Sequence, residues 1–127
     1  MKIRPSETPA EQYALVRSDC PVACTLDLLG DKWTLLVVRD LLFGLSRYGE
    51  FLGSGEGISS NVLAERLQRL ELAGLVEKQG TRPHVRYRLT TRGETLGPVL
   101  RALEQWGTQN FPGTKPRSHR LSGAGAD

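Results

Sequence analysis

The sequence lacks any apolar run of the roughly 18 residues that a membrane-spanning helix requires, which argues against a membrane partner. It has only two cysteines, Cys20 and Cys24, too few for a disulfide framework and typical of a reducing compartment. Residues 1–5 also lack the apolar stretch of a secretory signal. We therefore expect a cytoplasmic protein.

Histidine is equally scarce, with only His84 and His119. No hydrolytic triad and no group with metal-ligand spacing can be built from them. Glycines at 53, 55 and 57 precede a helical pattern, but no Gly-Lys-Ser/Thr follows, which excludes a phosphate-binding loop. We therefore predict that the chain is not an enzyme and has no metal or cofactor.

Acidic residues are missing from one segment of an otherwise ordinary chain. The 127 residues are enough for one domain with a modest core, and the net charge is +3. Residues 78–92 contain no Asp or Glu, but they include Lys78, Arg82, Arg86, Arg88 and Arg92. Such a basic segment attracts polyanions without identifying one.

Helical periodicity and capping residues divide the first half of the chain. Residues 1–19 predict a helical arm with a capping signature at residues 8–11. A second helix is expected from Cys20-Pro21 to Gly30, burying Val22, Leu26 and Leu29. Asp31 is predicted to cap the central core helix over residues 32–42.

The second half combines helices with a hairpin. We expect a small edge strand at 45–48, a short helix from 50, a helix at 60–73 capped by Ser59, and strands at 75–79 and 85–89. A capping box at 91–94 opens a helix that reaches about Trp106 and bends at Pro98. The predicted fold is α+β, a mostly helical winged helix-turn-helix domain over 20–111 with a two-stranded wing, followed by a disordered basic tail at 112–127.

The helix at 60–73 is the predicted recognition helix, and residues 80–84 form the wing tip. One face carries Leu63, Leu67 and Leu70, which must pack inward. The opposite face presents the candidate base readers Asn61, Glu65 and Gln68, flanked by Arg69. Asn and Gln pair with adenine, and Glu accepts from the cytosine amino group. Any solvated helix also has a polar outer face, so this pattern alone leaves that alternative open.

The basic hairpin favours the DNA-binding interpretation. Arg82, Arg86 and Arg88 would supply phosphate contacts beside the helix. Alternation predicts that Val85, Tyr87 and Leu89 face the core. A charged hairpin that only keeps the protein soluble is the alternative.

Cys20 and Cys24 form the second candidate site. A thiol at a helix N-terminus is favoured as the reactive thiolate, which makes Cys20 a candidate redox sensor. Cys24 lies one turn along on the same face. The alternative is that both are small packing residues.

Apolar residues at the two ends of the chain have nothing to cover them in a single winged helix. They are Tyr13, Leu15, Leu103, Trp106 and Phe111. A large exposed apolar patch implies a partner, and a twofold homodimer would place two recognition helices about one DNA turn apart.

The chain resembles the HxlR-type winged-helix transcriptional regulators over about residues 20–107. The resemblance rests on residues 20–34, 39–42, 48–51 and 57–63, on Arg66-Leu67, Leu70-Glu71, 74–76 and 87–90, and on 98–100 through Trp106-Gly107. The sequence departs from the usual pattern in its glycine-rich turn at 53–57 and in its second cysteine, Cys24.

The resemblance implies a homodimer that is held by its terminal helices and binds a pseudo-palindromic, double-stranded operator. Some family members sense electrophiles or oxidants through the cysteine that corresponds to Cys20. Others answer to metabolites, so the effector stays unknown. A winged helix that binds proteins rather than DNA is the rival interpretation, although its wing would be neutral or acidic.

Overall fold

The computed structural model describes residues 18–116. The elements are α1 (Pro21–Leu29), α2 (Thr34–Leu42), α3 (Tyr48–Leu52), α4 (Ser60–Leu72), β1 (Val76–Gln79), β2 (Arg86–Leu89), α5 (Thr91–Glu94) and α6 (Gly97–Asn110). This order confirms the predicted winged helix-turn-helix fold. The predicted N-terminal helix and most of the basic tail lie outside the described residues.

The core lies between α2, α4 and the wing. Val38, Leu63 and Leu70 are fully buried, so the predicted inner face of α4 is confirmed. The remaining core members are Leu29, Val37, Leu41, Phe51, Ile58, Leu67, Ala73, Leu75 and Val76. This packing fixes one face of α4 and leaves its opposite face to solvent.

The first helix has the predicted boundaries but not the predicted burial. Pro21 starts α1, and Gly30 ends it by donating its N–H to the Leu26 carbonyl at 2.8 Å. The prediction that Val22 and Leu26 are buried is wrong, because they are 65% and 59% exposed. Of the residues of α1, only Leu29 is buried. The helix therefore packs by its C-terminal end, and its apolar middle has no cover within the described chain.

The central helix begins two residues later than predicted. Asp31 does act as a cap, since its carboxylate accepts from the N–H groups of Trp33 and Thr34 at 3.0 and 3.1 Å. Residues 31–33 nevertheless form a turn, and α2 starts at Thr34.

The predicted edge strand at 45–48 is not formed. The Glu50 carboxylate accepts from the N–H groups of Ser46 and Arg47, both at 2.9 Å, which starts α3 at Tyr48. Glu50 therefore occupies the N–H groups that strand pairing would need. A single backbone hydrogen bond links residues 45–48 to the wing, in which the Tyr87 N–H donates to the Ser46 carbonyl at 2.8 Å.

The predicted C-terminal helix is two helices. Thr90, rather than Thr91, is the cap, and its hydroxyl accepts from the Gly93 N–H at 3.1 Å. Where a bend was predicted at Pro98, the chain breaks after Glu94 and α6 restarts at Gly97. Proline lacks an N–H and is therefore favoured in the first turn of a helix. A Cβ on Gly93 would lie 2.0 Å from the Leu75 carbonyl oxygen, so glycine is needed for this close approach.

Candidate nucleic-acid interface

The helix-turn-helix unit consists of α3, a turn over residues 53–59, and α4. Phe51 is buried and packs edge-on against Tyr87 of the wing, with 6.5 Å between ring centroids. Gly57 has a φ of +77°, a conformation that favours glycine in this turn. The Ser59 hydroxyl then accepts from the Val62 N–H at 3.2 Å and caps α4 as predicted. A local hydrogen bond therefore fixes the start of α4.

The outer face of α4 presents the predicted base readers to solvent. Asn61 and Gln68 are exposed, and the Glu65 side chain is 52% exposed. The structure brings these residues together on one face, opposite the buried leucines. Amide groups displayed in this way can bond to base edges in the major groove.

The flanking arginine has a different environment. Arg69 Nη1 donates to Asp31 Oδ1 at 3.0 Å, and Arg66 Nε donates to Asp31 Oδ2 at 2.8 Å. Both arginines also pair with Glu65, Arg69 at 3.4 Å. We call Asp31, Glu65, Arg66 and Arg69 the Asp31 network. It ties the middle of α4 to the turn between α1 and α2.

The charge of Asp31 is stabilised by its surroundings. Partial burial acts to raise the pKa of the Asp31 carboxyl, but hydrogen bonds from Thr34, from Arg66 and from two backbone N–H groups outweigh that effect. Together they hold the pKa well below its usual range. The carboxylate is therefore ionised at any physiological pH, and its ion pairs persist.

Sequence reasoning missed the tertiary role of Asp31 and the whole role of Arg66. The position of Asp31 before an apolar helix predicts a helix cap, and the structure confirms it. Nothing in the sequence around Asp31 indicates that its carboxylate also binds two arginines. Arg66 and Arg69 are three residues apart and therefore lie on the same side of α4. This spacing is the sequence feature that indicates a shared binding partner.

The wing carries arginines on its outer face. Strand pairing places Arg88 opposite Glu77 and Arg86 opposite Gln79. Arg88 Nε donates to the Glu77 carboxylate. Arg82 is exposed at the wing tip, and Val85, Tyr87 and Leu89 are half-buried as predicted. Arg82 and Arg86 are thus the wing arginines without an ion pair within residues 18–116.

A further cation lies close to the wing. Hydrogen bonds from the backbone N–H groups of Ser46 and Arg47 lower the pKa of Glu50, and the nearby charges of Arg47 and Arg86 lower it further. Arg47 is exposed at the N-cap of α3, next to Ser46, whose carbonyl accepts from the Tyr87 N–H of the wing. Its basic character was visible in the sequence, but its position beside the wing was not.

The two cysteines are free thiols at the start of α1. Cys20 is exposed and occupies the N-cap position with an extended backbone, as predicted. Cys24 is half-buried, and its Sγ donates to the Ser18 carbonyl at 3.2 Å. Cys20 is therefore the more accessible of the two.

Apolar side chains remain exposed along α6 and α1. Leu103, Trp106 and Phe111 are 51%, 60% and 56% exposed, and the rings of Trp106 and Phe111 meet edge-on at 6.0 Å. Leu103 also borders a groove of about 610 Å³ between α2 and α6. The predicted interface residues Tyr13 and Leu15 lie outside the described residues.

A family model described as HxlR-like helix-turn-helix matches residues 28–115. The chain belongs to the HxlR-like helix-turn-helix family. It is accordingly a transcriptional regulator of the helix-turn-helix type, which agrees with the architecture above.

Known proteins resemble the chain in both sequence and structure. The uncharacterized HTH-type transcriptional regulator sll1512 of Synechocystis sp. is 38% identical over 92 residues, 70% of this chain and 68% of that protein. The sequence of PA1607, whose crystal structure is known, is 41% identical to this chain. The two structures superpose with a TM-score of 0.71 over 79% of this chain and 72% of PA1607. The redox regulator HypR in its reduced form is 32% identical with a TM-score of 0.67, covering 73% of this chain and 95% of HypR.

Two features are absent from residues 18–116. No helix there is long and apolar enough to cross a membrane. Nor does that part of the chain group three or more His, Cys, Asp or Glu side chains as metal ligands.

Proposed function

We propose that this regulator binds double-stranded DNA in a sequence-specific manner, with α4 in the major groove and the wing against the backbone. The observation that carries the proposal is the division of α4 into a buried leucine face and an exposed face with Asn61 and Gln68. The basic wing packs against α4 through β1. Base readers give selectivity, and phosphate contacts give affinity.

The residues divide between these two roles. Asn61 and Gln68 are the proposed base readers, and Arg82 and Arg86 contact phosphates. Arg88 supports the wing through Glu77 and adds its exposed charge.

Glu65 and Arg69 lie on the same proposed DNA-binding surface as Asn61 and Gln68. Both are also members of the Asp31 network. The carboxylate of Glu65 would repel phosphates if it were unpaired. Its ion pairs with Arg66 and Arg69 offset that repulsion and hold it in one orientation. A Glu in this position can then accept from a cytosine amino group.

We further propose that the protein acts as a homodimer on a pseudo-palindromic operator. The exposed apolar residues of α6, together with Val22 and Leu26 of α1, support this, because a surface of this kind is normally covered by a partner. A twofold dimer presents two α4 helices to half-sites about 34 Å apart. The proposed place of action is the cytoplasm, the compartment that holds the DNA in bacteria such as the Synechocystis sp. of the relative sll1512.

Cys20 is our proposed sensor of oxidants or electrophiles. Its support is its exposed N-cap position and the likeness of the chain to HypR, a redox regulator. A thiol that is exposed at the start of a helix is accessible to an oxidant or an electrophile.

The test is a binding titration with the full chain. A duplex enriched from a random library and a scrambled duplex of equal composition would be titrated at several salt concentrations. We expect at least about a thousandfold preference for the enriched duplex. Failure to enrich any duplex would contradict the proposal and favour a winged-helix protein-interaction module.

A further inference from the structure

We infer that Asp31 is a selectivity-determining positioning residue, because it withholds two cations of the recognition helix from DNA phosphates. The inference rests on the proposed function and deepens it. Asp31 lies in the turn before α2 rather than on α4, so it would act on DNA recognition through Arg66 and Arg69.

The geometry of the carboxylate supports this role. Each oxygen of Asp31 accepts from a different arginine, Oδ2 from Arg66 at 2.8 Å and Oδ1 from Arg69 at 3.0 Å. The side chains of Arg66 and Arg69 are only 18% and 25% exposed, whereas that of Arg88 is 65% exposed. Both basic residues of α4 are thus held against the protein.

The charge balance of the Asp31 network explains why this matters. Two carboxylates face two guanidinium groups, so the network carries no net charge. A free cation on the recognition helix would bind phosphates of any sequence and release counterions. It would raise affinity for random DNA more than for the operator, on which a mobile cation would also disturb the neighbouring base contacts, so the ratio between the two affinities would fall.

The position of the network strengthens the argument. Arg69 directly follows the base reader Gln68, and Glu65 lies on the reading face itself. Releasing Arg69 from Asp31 would place a mobile cation beside Gln68. We therefore expect the loss of Asp31 to increase sequence-independent binding and to decrease selectivity.

The experiment compares Asp31→Asn with wild type on the enriched and scrambled duplexes. Asparagine retains an oxygen that can cap α2 but lacks the charge that holds the arginines. We expect affinity for the scrambled duplex to rise roughly three- to tenfold, with a salt slope steeper by about one. The ratio of enriched to scrambled affinity should fall. If thermal unfolding shows that Asp31→Asn does not fold, Asp31→Ser takes its place, because serine also keeps a capping oxygen.

Two further variants separate this mechanism from a change in net charge. Asp19→Asn removes the same charge at an exposed position before α1 and should leave both affinities within about twofold of wild type. Adding Arg66→Gln and Arg69→Gln to Asp31→Asn should cancel the gain on the scrambled duplex.

Unchanged or weaker binding of Asp31→Asn to the scrambled duplex would overturn the inference. So would a gain that persists without the two arginines, or one that Asp19→Asn reproduces. Failure of the proposed function is distinguishable, because wild type itself would then bind the enriched and scrambled duplexes equally or not at all.

Discussion

Arg88 donates a hydrogen bond to Glu77 directly across the two-stranded wing. Arg86, two residues earlier on the same outer face, lies opposite the uncharged Gln79 instead. Within residues 18–116, no carboxylate forms an ion pair with Arg86. Of the two arginines of β2, Arg88 is therefore already paired with a carboxylate, whereas Arg86 is available to a phosphate. Alanine substitutions of the two residues form a matched comparison.

We predict that Arg86→Ala weakens binding to the enriched and scrambled duplexes alike and reduces the salt slope by about one. Arg88→Ala should cost less, since part of its charge is already neutralised by Glu77. Titrations at several salt concentrations measure both quantities. Equal losses for the two variants would contradict the assignment of Arg86 as the principal contact of β2.

Gln68→Ala should behave in the opposite way, because a base contact confers selectivity. We expect a loss of about 1–3 kcal/mol on the enriched duplex and almost no change on the scrambled one. Gln105→Ala, at an exposed glutamine of α6, is the control and should leave both affinities unchanged. If Gln68→Ala only weakens salt-dependent binding to every duplex, Gln68 is a backbone contact.

The exposed apolar face of α6 predicts a dimer. Sedimentation equilibrium at micromolar concentration should give about twice the chain mass of 14.0 kDa. Leu103→Glu should shift the mass toward the monomer, because it would place an unpaired charge in the proposed interface. Leu52→Glu makes the same change at an exposed leucine of α3 and should leave the dimer intact. A wild-type mass of one chain at high concentration would contradict both the dimer and the half-site spacing.

Cys20 should react faster than Cys24 with iodoacetamide. Cys20 is exposed at the helix N-terminus, whereas Cys24 is half-buried and hydrogen-bonded to Ser18. The single variants Cys20→Ser and Cys24→Ser report each thiol separately, with glutathione as the model thiol. Should the Cys20 thiol alkylate no faster than glutathione, the packing interpretation holds and the sensor proposal fails.

The sequence predicted the parts of the fold that depend on local patterns. The leucine spacing of α4, the Ser59 cap and the glycine after α4 determine where that helix begins, ends and packs. The alternation around Tyr87 likewise identified the inner face of β2. These features need only neighbours within one or two turns, so periodicity and capping rules describe them well.

The errors occur where a side chain bonds to a distant or competing partner. Glu50 takes the backbone donors that an edge strand at 45–48 would have used. Val22 and Leu26 have a helical spacing that predicts burial, but nothing in the described chain covers them. The Asp31 network joins residues more than thirty positions apart, and no local pattern records such a contact.

The most direct test of the account is the sequence and stoichiometry of the DNA that the full chain selects from a random duplex library. We predict a pseudo-palindrome with half-sites centred about 10 base pairs apart, and two chains bound per duplex by mass. That result requires sequence reading by α4 and twofold symmetry together. Recovery of an unselected pool, or of an asymmetric site that binds one chain, would contradict the account.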